Sequence, residues 1–272
     1  MILSPIISAN ELLALLESPE IVVVDARSGA TSEQAYRKEH IKGAVHLELE
    51  EHLCAKEGDP KVGGRHPLPK VDKFIQACAQ KGIHPKKRIV VYDDLSGANA
   101  AARLWWMLSA VGCTQVQVLD GGMQSFMQLD NAPMHAGVTQ GSPVEPWACA
   151  QWQLPIVSMG EIKTDSERKN LLLVDVRDTG RYEGKFEPID PTAGHIPGAV
   201  NVPYKQNLDA KGCFLSGEKL AKQYHPLFRA GKSVVFYCGS GVTACHGILA
   251  ARIAGEPWPA LYVGSWSEWC RN

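Results

Sequence analysis

The chain repeats itself once, with its motifs in the same order. Ile21-Val22-Val23-Val24-Asp25-Ala26-Arg27 is followed by His40-Ile41-Lys42-Gly43-Ala44-Val45. Later, Leu172-Leu173-Val174-Asp175-Val176-Arg177 is followed by His195-Ile196-Pro197-Gly198-Ala199-Val200. Ile89-Val90-Val91-Tyr92-Asp93 matches Val234-Val235-Phe236-Tyr237-Cys238, and Val118-Leu119-Asp120-Gly121-Gly122 matches Leu261-Tyr262-Val263-Gly264-Ser265. The partners Asp25 and Asp175 lie 150 residues apart, His40 and His195 155, Asp93 and Cys238 145, Gly121 and Gly264 143. A small drift with a constant order means one duplicated unit with altered loops. A period this long signals paired domains, not a solenoid. The length of 272 residues favours two domains as well.

Within each repeat, short β-branched runs alternate with amphipathic stretches. This predicts an α/β fold in which a mainly parallel sheet is covered by helices on both faces. Ser8-Ala9-Asn10-Glu11 has the form of a capping box ahead of Leu12, Leu13, Leu15 and Leu16. Residues 100–111 and 244–254 read as helices ending near Gly112 and Gly255. Residues 131–155 are rich in Pro, Gly, Ser and Gln and have no clear period. They predict a linker between a first domain over 1–130 and a second over 156–272.

Composition removes several function classes. Hydrophobic residues make up 45% and charged residues 21%, enough apolar material for two cores. A formal net charge of −1 gives no global field for nucleic acid or an acidic membrane. No apolar run approaches the roughly 18 residues that span a bilayer. Residues 1–17 lack a basic start and a small-residue cleavage site, so no signal peptide is expected. The eight cysteines form no C-x-x-C pair and no zinc-ligand spacing, which predicts neither a metal nor any other cofactor. A reduced, cytoplasmic location follows as the expectation.

The chemistry concentrates at residues 234–246. A buried-strand pattern, Val234 to Tyr237, leads into Cys238 and a turn holding Gly239 and Gly241, and a helix begins near Thr243. A thiol there faces backbone N–H groups and the positive end of a helix dipole, which favours the thiolate. Buried cysteines are more often inert core, but the Gly-x-Gly turn straight after the strand argues for a nucleophile. The repeat acts as a control. The first unit has Asp93 at this position and Asp94-Leu95-Ser96 in place of Gly239-Ser240-Gly241, so only one unit has a thiol to use.

The paired Asp-x-Arg … His-Ile-x-Gly-Ala elements, the Cys-Gly-Ser-Gly-Val-Thr loop and the closing Gly264-Ser265-Trp266 resemble the two-domain sulfurtransferases, the rhodanese and 3-mercaptopyruvate group. The resemblance covers nearly the whole chain. It implies two tandem rhodanese-like domains with the site in a cleft between them, and a persulfide formed on Cys238. It further implies a small anionic donor, 3-mercaptopyruvate or thiosulfate, and a cyanide or thiol acceptor, a thioredoxin-like protein among the candidates. Amides from Gly239 through Ser240, Gly241, Val242, Thr243 and Ala244 would hold the sulfur anion. The Ser240 and Thr243 hydroxyls are further donors, with helix capping the structural alternative for Thr243.

By the same resemblance Arg181 stands where the group carries its substrate-binding arginine, a fork suited to carboxylate or sulfonate. A solvated surface arginine is the alternative. His66, in His66-Pro67-Leu68-Pro69, matches a site-lining histidine able to protonate a leaving enolate or orient a carbonyl. Glu50 stands roughly where an acidic residue is found. Arg177, recurring as Arg27, and the paired His40 and His195 read as structural, as do the helical Trp105 and Trp106. One departure is clear. The mercaptopyruvate type carries a second arginine before the His-Ile-Pro-Gly element, and here that place falls at Ile189 or Asp190. Lys185 is the nearest substitute.

Cys245, on the following helix, reads as buried and inert. A phosphatase loop would need an arginine closing a C-x5-R loop, six residues after Cys238, where this chain has Ala244. A non-catalytic persulfide carrier, loaded by a desulfurase, remains the alternative function.

Overall fold

The computed structural model describes residues 3–56, 58–168 and 170–272. It divides into two compact units. One comprises Met1–Lys56, Pro69–Gln153 and Ala210–Cys213; the other comprises Glu57–Leu68, Leu154–Asp209 and Phe214–Asn272.

The first unit runs β1 (Ile6–Ile7), α1 (Ala9–Leu15), β2 (Ile21–Asp25), α2 (Ser32–Lys38), β3 (His40–Ile41) and β4 (Val45–His46). A single π-type turn (Leu49–Leu53) precedes α3 (Val71–Gln80), β5 (Arg88–Tyr92), α4 (Ala101–Ala110), β6 (Val116–Leu119), α5 (Gly122–Met127) and β7 (Met134–His135). The predicted capping box opens α1, with Ser8 Oγ accepting the Glu11 amide and the Glu11 carboxylate accepting the Ser8 amide. The sheet order is β1-β6-β5-β2-β4, and these pairs are parallel. Ile89, Val90, Val91 and Tyr92 are all fully buried, as a central parallel strand covered on both faces requires. Each such side chain contributes roughly 1.5–3 kcal/mol when withdrawn from water.

Residues 131–153 belong to this unit despite their loop-like composition. Met134 and His135 pair antiparallel with Ile41 and His40. The Val144 amide donates to the Ala79 carbonyl (3.0 Å), and Trp147 Nε1 donates to the Val111 carbonyl (2.8 Å). Trp152 packs its ring on Phe74 and Trp106.

The second unit runs α6 (Met159–Arg168), β8 (Leu171–Asp175), α7 (Thr179–Tyr182), β9 (Val200–Asn201), a 3₁₀ turn (Tyr204–Asn207), α8 (Gly217–Phe228), β10 (Ser233–Tyr237), α9 (Ala244–Ile253), β11 (Ala260–Leu261) and α10 (Ser265–Trp269). Its sheet order is β11-β10-β8-β9, again parallel, and an Ile156–Leu261 bridge extends it where β1 extends the first sheet. Val235, Tyr237, Leu173, Ile196, Tyr262 and Trp266 share a core cluster. Among the described residues no helix is long and apolar enough to cross a membrane.

The Asp-x-Arg motif does the same work in both units. Arg27 forks onto Asp25 and reaches the Glu39 carbonyl; Arg177 forks onto Asp175 and reaches the Gly194 carbonyl, each closest contact being 2.7 Å. These buried pairs fix the loop after the strand and explain the recurrence of the motif in a unit without a nucleophile. His40 is buried, bonded to Tyr36 and Thr139, and His195 stacks on Tyr182 and bonds to its carbonyl at 2.7 Å.

Candidate active site

Strand β10 ends at Tyr237 and delivers Cys238, whose side chain is almost fully enclosed, to the loop ahead of α9. The loop is stitched to the Gly264-Ser265-Trp266 element. The Cys238 amide donates to Ser265 Oγ (3.1 Å), the Trp266 amide to the Cys238 carbonyl (3.0 Å), and the Ser267 amide to the Gly239 carbonyl (2.8 Å). Ser265 can serve because it adopts a left-handed backbone (φ 53°), and its hydroxyl donates in turn to the Tyr262 carbonyl (2.9 Å). Gly241 turns the loop at φ +74°, and a side chain there would be driven into the Val263 carbonyl. The turn closes into α9 with the Cys245 and His246 amides on the Val242 and Thr243 carbonyls, both at 3.0 Å.

The corresponding loop of the first unit shows what such a turn holds. There Asp93 follows β5, and its carboxylate accepts the amides of Leu95 (2.9 Å), Gly97 (2.8 Å), Asn99 (3.2 Å) and Ala101 (3.1 Å). Burial raises this carboxyl above its ordinary value, although the amides of Ala101, Leu95 and Gly97 pull the other way. The nest in the first unit is filled by the chain's own carboxyl group.

A segment far earlier in sequence builds the rest of the second unit's site. Gly64, at φ +78°, lies so close to α10 that a Cβ would sit 2.6 Å from Ser267 Oγ and strike the Gly264 carbonyl oxygen. Around it the Gly63 amide donates to Glu268 (2.8 Å) and the Arg65 amide to Ser267 Oγ (3.1 Å). This anchoring sets His66 Nδ1 2.8 Å from Ser240 Oγ. Of the predicted loop residues, Ser240, Val242 and Ala244 are buried, and Thr243 occupies the cap of α9 without a side-chain capping bond.

Arg181, on the short helix α7, approaches the same loop. A methyl group on Gly239 would lie 3.4 Å from Arg181 Nη2 and 3.2 Å from Arg65 Nη2, so two guanidinium groups flank that residue. Arg181 forks onto Glu187, its Nη2 at 2.6 Å and its Nε at 3.1 Å. Burial raises the Glu187 carboxyl, but Arg181 and the amides of Asp190 and Ile189 outweigh it and hold the group below the ordinary carboxylate range. Asp190, fully enclosed, takes Arg271 at 2.9 Å, Arg65 at 3.2 Å and Arg181 at 3.9 Å. Arg177 reaches Glu187 at 3.3 Å and lies over the Trp266 ring.

Lys185 does not fill the place of a second arginine. Its side chain is 72% exposed and pairs with Glu183 at 2.6 Å, because the short turn after α7 points it to solvent. Arg65, which sequence patterning did not single out, stands beside the loop instead. The Gly63-Gly64 pair immediately before it was the available signal. Glu50 lies on the π-type turn of the first unit, where its carboxylate accepts the Cys54 thiol (3.5 Å); burial, with Glu50 alongside, pushes that thiol up to about 12. Cys245 is buried and its thiol donates to the Gly241 carbonyl at 3.5 Å; Trp105 and Trp106 are core. Among the described residues no group of three His, Cys, Asp or Glu side chains is arranged to hold a metal ion.

Comparison with known proteins agrees with this architecture. A model of the rhodanese-like domain matches residues 8–129 and again 158–272. A probable 3-mercaptopyruvate sulfurtransferase of Pseudomonas aeruginosa is 37% identical over 280 aligned positions, covering 97% of this chain and 94% of that protein. The 3-mercaptopyruvate sulfurtransferase of Homo sapiens is 34% identical, over 89% of this chain and 80% of its own. The solved 3-mercaptopyruvate sulfurtransferase from Leishmania major matches with a TM-score of 0.83 at 30% identity, covering 98% of this chain and 74% of that one.

Proposed function

We propose that this chain, which belongs to the rhodanese-like domain family, is a sulfurtransferase that carries sulfane sulfur as a persulfide on Cys238. The donor is 3-mercaptopyruvate or thiosulfate, and the acceptor is cyanide or a thiol, including that of a thioredoxin-like protein. The observation that best supports an anion-holding loop is internal. At the equivalent position Asp93 keeps its carboxylate in a nest of four backbone amides. The loop after Cys238 has the glycines to do the same for a persulfide, and the following helix turns the positive end of its dipole toward that loop.

In the first half-reaction the Cys238 thiolate attacks the donor sulfur. From 3-mercaptopyruvate the C–S bond breaks with its electron pair on carbon, and the thiol proton ends on that carbon as pyruvate forms. From thiosulfate the S–S bond breaks and sulfite leaves, with no proton to move. In the second half-reaction the acceptor takes the outer sulfur, thiocyanate forming from cyanide, and the Cys238 thiolate returns. His66 and Ser240, joined by a 2.8 Å hydrogen bond two residues past the nucleophile, are the pair we assign to the proton needed with 3-mercaptopyruvate. Arg181 holds the donor's anionic end.

The test is a side-by-side measurement of thiocyanate production from both donors, with mass spectrometry of the Cys238 peptide for one added sulfur. Cys238→Ser is expected to abolish transfer and added mass together. An active Cys238→Ser protein would overturn the assignment. Near-zero rates with both donors, together with persulfide uptake from a cysteine desulfurase, would favour a carrier.

A further inference from the structure

Two arginines face Gly239, yet they are differently engaged. Arg181 is held by a two-point fork on Glu187. Arg65 is held loosely. Its Nη2 contact with Asp190 is 3.4 Å, and its buried Nε lies 3.2 Å from Asp190 Oδ1 without finding a hydrogen-bond partner among the described residues. The Asp190 carboxylate is meanwhile engaged more closely by Arg271, at 2.9 Å. A guanidinium has five donors in a fixed fork, so Arg65 retains donor capacity next to the nucleophile's loop.

The local charge balance points the same way. Among the described ion pairs Arg65, Arg177, Arg181 and Arg271 face Asp175, Glu187 and Asp190, one positive charge more than negative before the Cys238 thiolate is counted. A partly enclosed excess cation is costly unless an anion joins it. The shared position of the two Nη2 atoms, 3.2 and 3.4 Å from one point beside Gly239, lets the oxygens of one carboxylate or sulfonate reach both. Asp190 therefore has a positive use. It occupies the place where a second arginine was expected, and there it anchors an arginine delivered from the 63–66 segment.

We propose that Arg65 is the second donor-binding guanidinium of this enzyme, acting with Arg181 on the donor's anionic end and oriented by Asp190. The identity of the ligand rests on the sulfurtransferase reading; the anion site itself does not.

The experiment has two arms on full-length protein. Steady-state kinetics with 3-mercaptopyruvate and with thiosulfate compare wild type, Arg65→Ala, Arg65→Lys and Arg181→Ala. Calorimetry follows pyruvate and sulfite binding to the same reduced, sulfur-free proteins, and melting temperatures verify folding. Arg65→Ala is expected to raise donor KM and weaken binding by about tenfold to a hundredfold while kcat changes little. Arg65→Lys should recover only part, since a point charge replaces a fork. A larger effect with 3-mercaptopyruvate and pyruvate assigns the carboxylate as the group held; a larger effect with thiosulfate and sulfite assigns the sulfonate. A folded Arg65→Ala protein with KM and binding within twofold of wild type overturns the proposal, as does wild type that binds neither anion. Should Arg65→Ala not fold, Arg65→Lys alone decides by the same criterion. Absence of sulfur transfer by wild type would count against the sulfurtransferase reading only, because the calorimetric arm reads the site without turnover.

Discussion

Asp93 and Cys238 occupy the same strand-end position in the two repeats, and each carbonyl accepts the amide that opens the next short helix, from Met123 at 2.9 Å and from Trp266 at 3.0 Å. The backbone scaffolds agree while the side chains differ. In one unit the side chain is a carboxyl that accepts the loop's amides; in the other it is a thiol. Four predictions follow from the geometry around these two residues and their neighbours.

Asp93→Asn replaces a carboxylate oxygen with an amide nitrogen that faces two backbone donors. One buried and one part-buried N–H group lose their acceptor, the buried one at about 1–3 kcal/mol. Thermal denaturation should show a clearly destabilised protein, while the rate of sulfur transfer per folded molecule stays near wild type. An unchanged melting temperature would mean that the nest does not depend on its carboxylate.

Ser240→Ala and His66→Ala break the hydrogen bond between these side chains. Only 3-mercaptopyruvate requires a proton to reach carbon. Both variants should therefore lose about a hundredfold or more in kcat with that donor, the usual range for general acid–base help, and far less with thiosulfate. Equal losses with the two donors would remove the proton role.

Glu187 is held below the ordinary carboxylate value, so the folded state favours its charged form. Its contribution is complete above the unfolded value near 4.3 and is lost as the pH falls through the lower folded value. Wild-type melting temperature should drop below about pH 4. Glu187→Gln should be less stable at neutral pH, by about 3–5 kcal/mol for a broken enclosed pair, and should lose part of the acid-dependent fall. Melting temperature measured against pH for both proteins checks the sign.

Gly64→Ala introduces a Cβ where φ is +78° and α10 leaves no room. The segment must shift, taking Arg65 and His66 with it. A lowered melting temperature and a raised donor KM are expected together. Gly58→Ala, where a Cβ meets open space, is the control and should change neither.

The duplication, the parallel sheets, the position of Cys238 and the structural reading of Asp25–Arg27 and Asp175–Arg177 could all be read from local patterns, because each depends on strand period or on a motif repeated in both halves; Arg181 is picked out through the resemblance. His66 could be picked out only through the resemblance. Arg65 could not. It is brought to Gly239 by packing between Gly64 and α10, a contact between residues about two hundred apart in sequence. Lys185 illustrates the opposite error. It is near in sequence to the expected arginine, yet the turn after α7 leaves it paired with Glu183 in solvent.

The acids behind Arg181 and Arg65 bear on turnover. An arginine that already holds a carboxylate meets an incoming anion as a replacement or a third party, so net binding is the difference between two similar attractions. Such a site exchanges anions more readily than it captures them. With the donor held as proposed, spent donor would leave readily once fresh donor arrives, and the shape of the anion would matter alongside its charge.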